Sequence, residues 1–287
     1  MTDPLHEAYR LCESITKSAG ANFSVGFRFL PKDKRRAVYA AYAFCRLADD
    51  LADESAPDDA PALLARWENE LDAVYNGHAN HPVGIALADS LVRYPIPKSG
   101  FAGLIDGCRD DLVKKRYETF DDLMVYVAKV AWTISDISLA IFGPLPGCAD
   151  SAFARGRDLA TALQLTNICR DVGDDVPRGR IYLPLEDLAK FGVSEDDLLE
   201  KRPNARFEKL MSFECARARS HFERARELPS LLSTDARLPV ALMGGVYAAV
   251  LEKVTADPSA VFRGRVRLSL REKLGVIARR AKRPVIV

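Results

Sequence analysis

The stretch QLTNICRDVGDD, Gln164 to Asp175, mixes amides, carboxylates and an arginine with apolar residues. At about 100° per residue, Gln164, Asn167, Asp171, Asp174 and Asp175 fall within an arc of about 100° on a helix. Leu163, Leu165, Thr166 and Ile168 point elsewhere and are free to pack. Buried unpaired charge is expensive, so the polar arc must face water, a partner or bound cations.

A second acidic stretch gives this one meaning. CRLADDLADE, Cys45 to Glu54, follows the apolar run AVYAAYAFC and sets Asp49 and Asp53 one turn apart, with Arg46 three residues ahead. Asp-Asp doublets are common in this chain (Asp49-Asp50, Asp58-Asp59, Asp110-Asp111, Asp121-Asp122, Asp174-Asp175, Asp196-Asp197), so a doublet alone says little. Two D-x-x-x-D pairs on two helices say more. If the helices face each other, Asp49, Asp53, Asp171 and Asp175 can hold a hard cation such as Mg²⁺, which completes its shell with water and phosphate oxygens. The bundle interior beside them would be an apolar cavity. Phosphate above hydrocarbon describes a prenyl diphosphate. Asp50 and Glu54 are expected behind the site or in solvent.

The rest of the chain fits one all-α domain spanning residues 1–287. Helical spacing runs through His6–Gly20, Lys32–Asp53 and Ala60–Gly77, and through six further segments separated by breakers such as APDDAP, YPIPKSG and GPLPGCAD. This predicts roughly ten helices of ordinary length. RIYLP is at most a short extended piece. Apolar residues make up 48% of the chain, enough for a sizeable core.

The 41 basic and 40 acidic residues nearly cancel, which argues against a nucleic-acid binder. Six scattered cysteines and four histidines form no zinc pattern, and GHANH reads as an exposed turn. Nucleotide fingerprints are absent, so no motif supports NADPH. The N-terminus has no signal-peptide core, and no run approaches the ~18 apolar residues of a membrane span. The expectation is a cytoplasmic protein with reduced thiols. The closing RRAKRPVIV allows peripheral contact with the inner membrane surface, although a frayed end is the plainer reading.

With these stretches in view, the chain closely resembles the squalene, dehydrosqualene and phytoene synthases, which join two prenyl diphosphates head to head. FRFLPKDKRRAVYAAYAFCRLADDLADE resembles their first aspartate region, and LIDGCRDDLVKKRYETFDDLMVYV the segment after it. ALQLTNICRDVGDDVPRGRIYLPLEDLAKFGV resembles the second region and its flap, the most specific part of the match. VYAAVLEKV and RVRLSLREKL fit the C-terminal part.

The resemblance implies an isoprenoid-synthase bundle with a central apolar cavity, as a monomer or homodimer. It implies two or three Mg²⁺ held by Asp49, Asp53, Asp171 and Asp175 with Asn167. Arg46 and Arg170 would offset the diphosphate charge, and Gln164 and Asn167 would orient the metal shell or the diphosphate. In DVPRGRIYLP, Arg178 and Arg180 would reach phosphate while Tyr182 and Leu183 close the mouth. Tyr247 would lie near the diphosphate. Two farnesyl diphosphates giving presqualene diphosphate or a squalene-type C30 product is the leading expectation. The alternatives are a phytoene synthase using geranylgeranyl diphosphate, an enzyme ionising and cyclising a single prenyl diphosphate, and a non-catalytic assembly factor.

Two stretches depart from the family. GANFS stands where Ser-x-Ser-Phe is usual, leaving Asn22 as the polar handle. YVAKVAWTISD carries Ala128 in place of a tyrosine, with Trp132 and Ser135 in place of glycines. A tryptophan where glycine allowed close approach is expected to reshape the prenyl pocket.

Overall fold

The computed structural model describes residues 3–19 and 26–287 of the chain. Asn22 lies outside the described residues, so its predicted contact with substrate has no structural counterpart here.

Helices dominate. α1 (Pro4–Ala19), α2 (Lys32–Asp53), α3 (Ala60–Tyr75), α4 (Pro82–Leu91) and α5 (Lys98–Val113) form the first half. α6 (Phe120–Val127) and α7 (Thr133–Phe142) are joined by a π-helical turn over Ala128–Trp132, and α8 (Ala149–Asp175) follows. The second half adds α9 (Leu185–Phe191), α10 (Glu195–Leu199), α11 (Ala205–Arg224), α12 (Thr234–Ala256), α13 (Ala260–Arg263) and α14 (Leu270–Lys282). The fourteen helices among the described residues exceed the expected ten because α9, α10 and α13 are too short for apolar periodicity to reveal. RIYLP forms no strand; its Ile181 N–H donates to the Lys115 carbonyl at 3.0 Å.

Local chemistry marks several helix ends. Thr119, Ser194 and Ser269 each form a capping box at the start of α6, α10 and α14, and Asn204 caps α11. The main core is a connected set of buried side chains, with Phe44, Phe101, Tyr117, Phe207 and Phe222 among the largest, and a small separate cluster forms from Val246, Val250, Leu268 and Val276. α8 runs through its middle, packed on α7, α11 and α12. Its Gly173 touches the backbone of Val261, and a Cβ at 173 would collide with that carbonyl. Only glycine lets the chain after α12 pass so close to the end of α8.

The expectation about apolar runs needs correcting. Phe120–Phe142 and Thr234–Ala256 are both 23 residues long, with mean hydropathy of 1.5 and 1.3, long and apolar enough to cross a bilayer. Both supply cavity wall. Thr234–Ala256 is mostly buried in the bundle, which accounts for its hydropathy, whereas well under half of the apolar window of Phe120–Phe142 is buried.

Candidate active site

Helices α2, α7, α8 and α12 surround one cavity of about 840 Å³. Along α2, Tyr42, Arg46, Asp49 and Asp53 line it at steps of four, three and four residues, which is one helix face. Along α8, Gln164, Asn167, Asp171 and Asp175 do the same. The two D-x-x-x-D pairs therefore share the rim of one chamber. Below them the wall is apolar or small: Val38 and Ala41, Ala131, Ile134 and Ser138, Gly156, Leu159, Ala160 and Leu163.

Arginines balance part of the acid. Arg170 binds Asp171 through Nε and Nη2 at 2.7 and 2.5 Å, and Arg265 grips the same carboxylate with two contacts of 3.1 Å. Arg180 Nη2 reaches Asp53 Oδ1 at 2.8 Å across the mouth. Arg46 pairs with Asp50, which accounts for the first doublet's other carboxylate. Tyr247 is buried against Arg170, which lowers the cost of its buried hydroxyl.

Asp49 and Asp175 lack such a partner. Burial pushes the Asp49 carboxyl up to about 6, opposed by a 3.3 Å contact from the Cys108 thiol and by Arg46. Burial and the neighbouring Asp171 push Asp175 up to about 7. Carboxylates raised in this way gain from a nearby cation. The buried Asn167 Oδ1 has no hydrogen-bond partner, while its amide N–H reaches Gln164 at 3.5 Å. An orphaned carbonyl oxygen between two acidic pairs is a donor set for a hard cation, and the residues present fit one. No three His, Cys, Asp or Glu among the described residues converge on one point, so water or phosphate oxygens would have to finish any such shell.

Several expectations need correcting. Asp174, although on the predicted arc, is exposed and off the cavity wall, as is Arg178. Leu183 is buried in the core instead of closing the mouth. Ala128 and Trp132 do not line the cavity. The π turn carries the Trp132 indole toward α8, where Nε1 donates to Thr161 Oγ1 at 2.8 Å and Arg157 sits 5.6 Å from the ring centroid. Val130 and Ala131 form the wall in its place.

Two site residues went unrecognised in the sequence. Asp111 lines the cavity and accepts hydrogen bonds from Tyr126 at 2.9 Å and Tyr182 at 3.1 Å. Burial still raises its pKa. Tyr117, Tyr126 and Tyr182 pack as a triangle with centroids 5.4 to 5.8 Å apart, which fixes Tyr182 beside the mouth. The Asp110-Asp111 doublet was the available signal, lost among five others. Arg265 is the second; nothing local distinguishes it, since Gly173 and the turn after α13 bring it to Asp171.

Comparison with known proteins places the chain in a family. The squalene/phytoene synthase family model matches residues 16–272. The chain belongs to the squalene/phytoene synthase family. It is 38% identical to 15-cis-phytoene synthase of Synechocystis sp., over 94% of this chain and 83% of that protein. It is 37% identical to phytoene synthase of Arthrospira platensis, over 93% and 90%. A crystallised dehydrosqualene synthase overlays with a TM-score of 0.90 at 32% identity, covering 98% of each chain. The fold is thus that of the isoprenoid synthases, and the protein is a prenyltransferase that condenses prenyl diphosphates head to head. Family membership carries a catalytic metal requirement.

Proposed function

We propose that this enzyme joins two geranylgeranyl diphosphates, by way of a cyclopropylcarbinyl diphosphate, to a phytoene-type C40 hydrocarbon. The depth of the cavity carries this reading. From Asp171 down to Gly156 its wall follows α8 for fifteen residues, about 22 Å at 1.5 Å per residue. An extended chain advances about 3.5 Å per three bonds, so each four-bond isoprene unit adds about 4.7 Å. Geranylgeranyl then needs about 19 Å and farnesyl about 14 Å on that same bond geometry. The 22 Å wall accepts the longer chain. The phytoene synthases among its relatives support the same assignment.

In this reading Asp49, Asp53, Asp171, Asp175 and the Asn167 carbonyl would hold two or three Mg²⁺, and the bound cations would supply the positive charge that a departing diphosphate needs. Arg46, Arg170, Arg180 and Arg265 place fixed positive charge where the leaving oxygens gain negative charge. The apolar walls hold the allyl cation of one substrate against the double bond of the other. Tyr182, fixed by Tyr117, Tyr126 and Asp111, narrows the mouth and keeps out water that would quench the cation.

A second reading, two farnesyl diphosphates giving presqualene diphosphate or a C30 hydrocarbon, is favoured by the overlay with the dehydrosqualene synthase. The single-substrate cyclase loses its motive once Trp132 leaves the wall, and a scaffold has no use for a carboxylate-lined chamber. Purified protein with Mg²⁺ and each diphosphate in turn, with and without NADPH, separates them by mass spectrometry of the extract. C40 product only from geranylgeranyl diphosphate supports the proposal. C30 product from farnesyl diphosphate with no C40 overturns it.

A further inference from the structure

The chain's charge is nearly balanced, but its distribution is not. Residues 263–283 contain nine Lys or Arg and one acidic residue, Glu272, a surplus of eight. Since the whole chain carries +1, everything else sums to −7. The surplus is concentrated on α14 and the strand of chain leading into it. Glu272 is already engaged by Ser269 and Lys253.

α14 has two faces. Val276 is its buried anchor, clustered with Val246, Val250 and Leu268, and Arg280 packs beside Gly245. The opposite side is apolar and uncovered. Leu270 is 73% exposed and Leu274 56%, the exposures of residues with no partner in the fold. At 100° per residue, Leu270, Leu274, Ile277, Ala278 and Ala281 fall within an arc of about 100°. Arg271, Lys282 and Arg279 follow on one edge of that arc, and Lys273 and Arg280 on the other. An apolar stripe between two cationic edges is the pattern of a helix lying in a lipid–water interface. A nucleic-acid surface would need the cations without the leucines.

Position adds a reason for such a face. Arg265, Val266, Arg267, Leu268 and Lys273, on the same stretch, line the cavity mouth. Of the closing RRAKRPVIV, Arg279 to Lys282 belong to α14, while the last residues turn inward where a frayed end is the plainer expectation. Ile286 is fully buried against Gly244, and its N–H donates to the Arg226 carbonyl at 3.2 Å.

We propose that the outer face of α14, exposed Leu270, Leu274 and Ala281 with half-buried Ile277, edged by Arg271, Arg279 and Lys282, docks the enzyme on an anionic phospholipid bilayer with its cavity mouth toward the lipid. The inference rests on the prenyltransferase assignment only for its purpose: amphipathic substrates arrive from the bilayer and an insoluble hydrocarbon returns to it. The docking chemistry stands without it.

Flotation of the full chain with vesicles of phosphatidylglycerol and phosphatidylcholine tests this, with pure phosphatidylcholine vesicles as reference. Binding is expected only with the anionic lipid and should weaken as salt screens the cations. Neutralising Arg271, Arg279 and Lys282 together to Gln should lower partitioning roughly 100-fold, at about a factor of five per cation. L270Q/L274Q should lower it at least tenfold, the scale of losing buried leucine area. Turnover of monodisperse substrate should stay at the parent level in both variants, since none of these side chains lines the cavity. The idea fails if the parent does not float with anionic vesicles, or if L270Q/L274Q floats equally well. It also fails if that pair changes the protein's solution mass without lipid, which would make the face a contact between copies of the chain. Because flotation needs no turnover, it distinguishes failure of docking from failure of the assigned reaction.

Discussion

Ala160 sits on the cavity wall eleven residues below Asp171, at a depth of about 16 Å along α8. That lies between the reach of a farnesyl chain, about 14 Å, and of a geranylgeranyl chain, about 19 Å. Ala160→Phe should therefore plug the chamber at a depth that spares the shorter substrate. The last isoprene unit of geranylgeranyl would lose its place; at about 0.8 kcal/mol per buried carbon, five carbons come to about 4 kcal/mol. Since about 1.4 kcal/mol is tenfold, selectivity should move toward farnesyl diphosphate by up to about 10³. The assay is kcat/KM for each diphosphate separately, with product carbon number read by mass spectrometry and folding checked by Tm. A ratio that moves less than tenfold in a folded variant would refute the depth scale and the path of the chain along α8.

Three further outcomes follow from the same structure. Asp171→Asn should lower kcat by about 10²–10³, the scale for removing one preorganised electrostatic group, and should weaken stabilisation by Mg²⁺ with inorganic diphosphate in a Tm titration. Trp132→Ala should cost about 2 kcal/mol of stability by chemical denaturation, through the lost Thr161 hydrogen bond and packing, yet leave product chain length unchanged. Glu214 and Asp187 are both buried on the single cation Arg217, and burial pushes the Glu214 carboxyl up to about 8. The folded protein then binds a proton that the unfolded chain releases above its ordinary value of 4.5, so stability should fall as pH rises from about 4.5 to 8 and then level off. Glu214→Gln should flatten that slope in pH-dependent Tm measurements; an unchanged slope would place the proton elsewhere.

Helical class, the boundaries of α2 and the face of α8 were legible in the sequence because they depend on local periodicity. A helix of 22 or 27 residues repeats its apolar and polar positions often enough to be read. The rim set Asp49, Asp53, Asn167, Asp171 and Asp175 followed from the same geometry, two faces with matched spacing that must be turned toward something other than oil. Three features escaped for one physical reason: each depends on which distant residues pack together. Trp132 leaves the cavity because a π turn changes the register by one residue, and the indole finds Thr161 on another helix. Asp111 joins the site through hydroxyls of Tyr126 and Tyr182, the second of them 71 residues away. Arg265 reaches Asp171, 94 residues back, only because Gly173 has no side chain to hold the backbone off. Periodicity along a chain says which face a residue takes; it carries no information about what comes to meet that face.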